Sequence, residues 1–211
     1  MKPLPECRLY TFVDTAYLHG RDPCAIARDL CDGGSDLIQI RAKGTEKNSI
    51  RRLADAILPI TRAANVGLVI NDHPGTAQKA GADLCHLGQE DYFEGGIRSR
   101  IPFGLSTHSP EQAERAAAAK PAYIAVGPVY ATGTKPGAKP VTLDYVRWTA
   151  ANLTIPWFAI GGITLENIDD VLRAGARRIC VVSAILNASN VRQTCQAFAE
   201  RLRSAPLHSQ V

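Results

Sequence analysis

Residues 67–91 have the sequence GLVINDHPGTAQKAGADLCHLGQED and contain one strand–helix–strand unit. Two short runs, 67–71 and 84–87, are apolar and have the length of buried strands. Pro74–Ala80 lies between them with the proline start and amphipathic spacing of a helix, and Gly81 follows it as a carboxyl-terminal cap. This pattern predicts two parallel strands joined by a helix, and therefore an α/β fold.

The same alternation extends over the whole chain of 211 residues, which we expect to form one domain, 1–211. The predicted strands are 9–13, 37–41, 67–71, 84–87, 103–106, 123–126, 157–160 and 179–183. The predicted helices are 23–31, 49–64, 74–80, 110–119, 143–152, 165–174 and 191–203, and only the link after Asp91 is too short for a full helix. Eight alternating units favour a closed (β/α)₈ TIM barrel. An open sheet is the alternative, but its two standard nucleotide-binding glycine motifs do not occur.

Composition excludes several classes of protein. Apolar residues make up 45% and charged residues 21% of the chain, as in ordinary globular proteins. The net charge of +4 is spread along the chain, so we expect no nucleic acid partner. No apolar run approaches the roughly 20 residues of a membrane helix and the start lacks a signal peptide, so we expect no membrane association and a cytoplasmic location. Six cysteines at irregular spacing give neither a zinc nor a redox motif.

Polar residues follow the second predicted strand. In a barrel of this kind the chemistry lies on the loops at the carboxyl ends of the strands. Gln39, Arg41 and Lys43 alternate with apolar residues, so their side chains point to one side of the strand. An anionic ligand would be a natural counterpart for them, and the alternative is that the arginine pairs with Asp14 or Asp72.

Two acidic residues follow the third and fourth predicted strands. Asp72 and Asp91 leave neighbouring strands, so their carboxylates can approach each other across the barrel mouth. One or two carboxylates with water and phosphate oxygens are what Mg²⁺ prefers. The alternative is that Asp72 caps the helix starting near Pro74 and Asp91 caps a turn.

The last two strand exits favour phosphate binding. Gly161-Gly162 and Val182-Ser183 occupy the position where such barrels bind phosphate through backbone N–H groups. A tight turn would also require glycine there.

The glycine-rich loop 127–137 is predicted to be a mobile lid, with a merely solvated loop as the alternative. Its Lys135 would supply a point charge for a leaving phosphate. His86 is expected to pair in or beside strand four. His108 is expected either to contact substrate or to cap the next helix.

Seven motifs at these positions resemble those of the thiamine phosphate synthase family, in the same order over nearly the whole chain. They are QIRAK at 39–43, ND at 71–72, HLGQED at 86–91, STH at 106–108, GPVYATGTK at 127–135, IGGI at 160–163 and VVSAI at 181–185. The resemblance implies that a pyrimidine methyl diphosphate and a thiazole phosphate are joined, with Mg²⁺ required and diphosphate released. The chain departs from the family at Ala42, where an acidic residue is common, and in a shorter stretch between Asp91 and Ser106.

The resemblance also implies residue roles. Asp72 and Asp91 would hold Mg²⁺. The pyrimidine diphosphate would be bound by Gln39, Arg41, Lys43, Asn71, Ser106 and Lys135, and the thiazole phosphate by Thr132, Thr134, Gly162, Val182 and Ser183. Ile40, Ala42 and Gly133 are also predicted to bind substrate. The expected catalytic residues are Arg41, Lys43, Ser106 and Lys135, since charge on the departing diphosphate needs stabilisation and no protein nucleophile is required.

Two other functions compete with this one. A thiazole tautomerase of the same barrel group would shift a proton with a histidine, but it would have little need for paired acids and a cationic rim. A non-catalytic barrel that senses a phosphorylated metabolite would bind ligand without turnover. For any of the three we expect small-molecule ligands, with a homodimer as a candidate assembly.

Overall fold

The computed structural model describes residues 1–133, 137 and 139–205, and these include eight parallel strands in a closed barrel. Each strand pairs with the next one in sequence, and the last pairs with the first through Leu9–Ile179 and Tyr10–Cys180. The predicted (β/α)₈ barrel is therefore confirmed. The strands are β1 (Leu9–Asp14), β2 (Leu37–Arg41), β3 (Gly67–Asn71), β4 (Leu84–Leu87), β5 (Phe103–Thr107), β6 (Tyr123–Val126), β7 (Trp157–Ile160) and β8 (Ile179–Cys180).

Helices follow the strands and cover the outside of the barrel. Within the described residues they are α1 (Pro23–Asp32), α2 (Lys47–Ala63), α3 (Pro74–Ala80), α4 (Gln89–Phe93), α5 (Pro110–Ala118), α6 (Thr142–Asn152), α7 (Ile168–Arg173), α8 (Ser183–Leu186) and α9 (Val191–Ser204). None of the helices in this described part is long and apolar enough to cross a membrane.

Helix α2 illustrates why the sequence folds in this way. Ile50, Ala54, Ile57 and Leu58 recur at helical spacing and form its buried face. Burying each of the larger aliphatic side chains contributes roughly 1.5–3 kcal/mol relative to leaving it exposed. The strands below them are also buried, so the core lies between barrel and helices.

Two predicted elements differ from the observed ones by three residues at one end, and the bounds of the others agree to within two residues. The predicted strand 179–183 ends at Cys180, and Ser183 instead begins helix α8. The predicted helix 165–174 begins only at Ile168, because the side chain of Asn167 accepts from the N–H of Thr164 and donates to the carbonyl of Gly162, which holds a turn there.

Two other local predictions are confirmed. The segment after β4 forms only the five-residue helix α4, so no full helix separates β4 from β5. Gly81 follows α3 with a φ of 71°, the left-handed conformation that a glycine cap adopts at low cost.

Candidate active site

A cavity of about 410 Å³ opens at the carboxyl ends of the strands. Every strand of the barrel, or the loop that leaves it, contributes to the lining. Of the predicted site residues, the structure brings eleven to this cavity: Gln39, Arg41, Lys43, Asn71, Asp72, Asp91, Ser106, Thr132, Gly162, Val182 and Ser183.

The cations of the rim are held by ion pairs. Arg41 Nη1 donates to Asp14 Oδ2 at 2.8 Å, and the side chains of Arg41 and Asp14 are 16% and 1% exposed. Lys43 Nζ pairs with Asp72 Oδ2. The pair of Arg41 with Asp14 is the alternative that the sequence left open for the arginine. The two pairs do not remove the residues from the site, because Arg41, Lys43 and Asp72 all line the cavity.

The two acids predicted to hold a metal line the same cavity. Asp72 has a left-handed backbone with φ 61°, and its N–H donates to the carbonyl of His86 at 2.8 Å. The pKa of His73 is lowered from its ordinary value, chiefly because the ring is partly buried. The negative charges of Asp72 and Asp91 act in the opposite direction and raise it.

The interpretation of Asp72 as the cap of α3 is wrong. Residue His73 occupies the cap position of α3, and no side chain caps that helix. Asp91 lies in the first turn of α4, whose cap position is Gly88. The Asp72 carboxylate pairs with Lys43 instead.

Deeper in the cavity the polar side chains form hydrogen bonds with one another. Gln39 is almost fully buried and donates from Nε2 to the Tyr10 hydroxyl at 2.5 Å. His86 was expected to pair beside β4, but its Nδ1 lies 3.0 Å from the Tyr123 hydroxyl and its Nε2 lies 2.9 Å from Ser106 Oγ. The floor of the cavity therefore carries an amide, an imidazole and a hydroxyl, each within hydrogen-bond distance of another side chain.

At the corner formed by β7 and β8, the backbone after β7 packs closely against the loop that follows β6. Gly161 and Gly162 have φ values of 106° and 62°, and a Cβ at Gly162 would lie 2.6 Å from the carbonyl oxygen of Ala131. Glycine is required here by both conformation and space. Val182 and Ser183 lie beside these glycines in the cavity lining, at the start of α8.

Three predicted substrate-binding residues are described by the structure but do not line the cavity. Ile40 and Ala42 are buried on the opposite side of their strand and loop, as the alternation of β2 requires, and they do not line it. Gly133 is exposed and also lies outside the lining. Thr134 and Lys135 lie outside the described residues, so their roles stay predictions.

The structure adds residues that the sequence did not indicate. Asp14 orients Arg41, and Tyr10 and Tyr123, correctly predicted to be core residues, carry hydroxyls that support the floor. Arg115 on α5 lies 3.7 Å above the centroid of the Phe93 ring and lines the cavity. His108, which the sequence did indicate, also lines the cavity, and its Nδ1 lies against the carbonyl of Gly127. The cap of α5 is Ser109 and not His108.

Comparisons of the sequence with known proteins agree on one family. The family model described as thiamine monophosphate synthase matches residues 9–185. A thiamine-phosphate synthase of Thermus thermophilus is 45% identical over 179 residues, which cover 81% of this chain and 84% of that protein. One from Acidothermus cellulolyticus is 43% identical over 209 residues, covering 96% and 98%. The solved structure of a thiamine phosphate pyrophosphorylase from Pyrococcus furiosus superposes with a TM-score of 0.84 at 23% identity, covering 97% of this chain and 99% of that one, and shows the same fold.

Proposed function

The chain belongs to the thiamine monophosphate synthase family, and from this membership we propose that its cavity joins a pyrimidine methyl diphosphate to a thiazole phosphate. The products are thiamine phosphate and diphosphate. One observation carries the assignment: Asp72, Asp91, Arg41 and Lys43 line the same cavity as the hydrogen-bonding side chains of Gln39, His86 and Ser106.

The acid pair fits Mg²⁺. This ion is commonly held by one or two carboxylates, with water and substrate phosphate oxygens completing its coordination. Asp72 and Asp91 supply two such oxygen ligands, and the described residues contain no larger cluster of His, Cys, Asp or Glu suited to a metal. We propose that these two residues hold Mg²⁺, which when bound would neutralise charge on the diphosphate as a Lewis acid.

The cations of the chain stabilise the leaving group. When the bond between the pyrimidine methylene carbon and the diphosphate oxygen breaks, its electron pair departs with diphosphate. Arg41 and Lys43 lie at the rim where that negative charge would develop, and Asp14 holds the guanidinium of Arg41 in place before substrate arrives. Lys135 is proposed to add a further positive charge from the loop after β6.

The thiazole phosphate is proposed to bind in the corner of Gly162, Val182 and Ser183. Held there, its ring nitrogen attacks the methylene carbon after the carbon–oxygen bond has broken. This route needs no covalent protein nucleophile. Cys180, a cavity-lining thiol, suits no such role, because complete burial raises its pKa well above the ordinary value and keeps the thiol protonated.

The competing functions explain fewer features. A thiazole tautomerase has little use for the acid pair with Lys43 at the rim. A non-catalytic sensor would bind the same phosphates, and it would show thermal stabilisation by ligand without product.

The test is an assay of diphosphate release with the two substrates supplied together and separately, with and without a chelator. The proposal predicts release that requires both substrates and divalent metal, together with thiamine phosphate detected by mass spectrometry. Ligand-dependent thermal stabilisation with no product in the complete mixture would refute it in favour of the sensor.

A further inference from the structure

A continuous chain of hydrogen bonds runs through the barrel to the cavity floor. Gln39 Nε2 lies 2.5 Å from Tyr10 Oη, and Tyr10 Oη lies 2.9 Å from Tyr123 Oη. Tyr123 Oη lies 3.0 Å from His86 Nδ1, and His86 Nε2 lies 2.9 Å from Ser106 Oγ. These five residues come from five different strands, so only the closed barrel brings them together.

The number of hydrogen atoms on each group fixes which group donates and which accepts along this row of hydrogen bonds. The Gln39 amide nitrogen is a donor only, so Tyr10 Oη accepts from it and has its own hydrogen left to donate. The other hydrogen-bond partner of Tyr10 Oη among the described residues is Tyr123 Oη, so Tyr10 donates to Tyr123.

The direction then continues to the cavity. Tyr123 has one hydroxyl hydrogen, which it donates to His86 Nδ1. An imidazole that accepts at Nδ1 is neutral and carries its hydrogen on Nε2, so it donates to Ser106 Oγ. In the reverse direction Tyr10 would accept from both neighbours and its buried hydroxyl hydrogen would lack an acceptor, which costs free energy.

The two tyrosines keep the hydrogens that this chain requires. Burial raises the pKa of Tyr10 and of Tyr123 well above the ordinary value, so both hydroxyls stay protonated. Packing fixes their rings: the ring centroids of Tyr10 and Tyr123 lie 5.7 Å apart edge to face. Opposite Tyr123, a Cβ on Gly104 would lie 2.1 Å from the ring, so glycine leaves the space that the ring fills.

We propose that Tyr10 and Tyr123 are positioning residues that hold His86 as its Nε2–H tautomer, so that the Ser106 hydroxyl donates its hydrogen into the cavity. The acceptor is an unprotonated ring nitrogen of the pyrimidine, and this identification of the acceptor rests on the proposed function. The charged groups Arg41, Lys43 and Asp72 lie at the rim and the neutral groups at the floor. The diphosphate therefore belongs above and the neutral ring below.

The tautomer is measured directly by long-range ¹H–¹⁵N correlation spectra of the protein labelled with ¹⁵N-histidine. His86 is assigned by the signal that disappears in His86→Gln. The proposal predicts an Nε2–H imidazole for His86 in the wild-type protein and a loss of that preference in Tyr123→Phe. An Nδ1–H imidazole or an imidazolium in the wild-type protein overturns the proposal.

Kinetics test the consequence for substrate. Tyr123→Phe keeps the ring and removes one hydrogen bond of the chain, so we expect kcat/KM for the pyrimidine diphosphate to fall about tenfold, with KM for the thiazole phosphate unchanged. The matched control is Tyr145→Phe. The Tyr145 hydroxyl is also buried, but it donates to Thr107 Oγ1 at 2.7 Å and takes no part in the row of hydrogen bonds from Gln39 to Ser106. Equal kinetic effects of the two substitutions overturn the proposal.

Substrate analogues identify the acceptor. In each of two analogues one ring nitrogen is replaced by C–H. The wild-type enzyme should discriminate against one of them, and Tyr123→Phe should discriminate about tenfold less against that same one. If Tyr123→Phe discriminates against that analogue as strongly as the wild-type enzyme does, the hydrogen bonds from Tyr10 and Tyr123 do not position Ser106. An Nε2–H tautomer in a wild-type protein that forms no product would instead refute the proposed function alone, because the spectra do not depend on activity.

Discussion

Replacing Asp14 by alanine removes the carboxylate that holds Arg41 at the rim. Asp14 Oδ2 accepts from Arg41 Nη1 at 2.8 Å, and Oδ1 accepts from the N–H of Ala16 at 3.0 Å. The Asp14 side chain is 1% exposed and that of Arg41 is 16% exposed. The substitution therefore leaves a largely buried guanidinium without its partner.

The expected cost follows from that burial. Removing one member of a buried ion pair lowers the free energy of unfolding by about 3–5 kcal/mol, because the remaining charge is neither solvated nor paired. Urea denaturation followed by circular dichroism would measure the loss. Inorganic diphosphate should restore stability more in Asp14→Ala than in the wild type, because it supplies negative charge beside Arg41.

The control is Asp144→Ala, which breaks the pair with Arg147 on the surface of α6, where the two side chains are 88% and 60% exposed. Solvent screens that pair, so the loss should be below about 0.5 kcal/mol. A loss in Asp14→Ala below about 1 kcal/mol would show that Arg41 relaxes into solvent, since a buried unpaired charge costs more than that. Asp14 would then have no role in preparing the rim.

Three further substitutions or treatments test other parts of the site. Gly162→Ala should raise KM for the thiazole phosphate and leave that for the pyrimidine diphosphate unchanged, because φ is 62° and the added Cβ meets the Ala131 carbonyl; equal changes in steady-state KM for both substrates would contradict this. Lys135→Ala should lower turnover more than it weakens thiazole binding, and the reverse pattern would assign the lysine to the other substrate. Burial raises the pKa of Cys85 and of Cys195 to about 12, so both should resist iodoacetamide at pH 8 in the folded protein; mass spectrometry showing rapid modification of either would contradict their burial.

The barrel could be predicted from the sequence because its strands are short apolar runs between amphipathic helices. The same signal failed at β8: Val181 and Val182 are apolar because they are buried, and the run extended the predicted strand beyond the sheet. Apolar character reports burial and does not by itself report strand pairing. The start of α7 was missed because a side chain, Asn167, sets it through the bonds it makes with the backbone.

The rim could also be predicted, because a parallel barrel brings all strand carboxyl ends to one face. The support for the floor could not. Tyr10 and Tyr123 look like ordinary core aromatics in a sequence, and the alignment of their hydroxyls with His86 depends on strand register across the barrel. Arg115 was missed because its place in the lining depends on the short α4 segment that supplies Phe93.

The central claim is that Asp72 and Asp91 share a divalent cation that helps to draw diphosphate from a carbon centre. The most direct measurement is single-turnover diphosphate release as a function of Mg²⁺ concentration in Asp72→Asn and Asp91→Asn, with Asp55→Asn as the control for loss of an exposed, ion-paired aspartate. Each of the first two variants should lose roughly 100-fold or more in rate, because metal stabilisation of transition-state charge amounts to several kcal/mol, while circular dichroism should show an intact fold and the control should keep its rate. Wild-type rates in either variant at limiting Mg²⁺ would show that the two carboxylates do not share a catalytic metal ion.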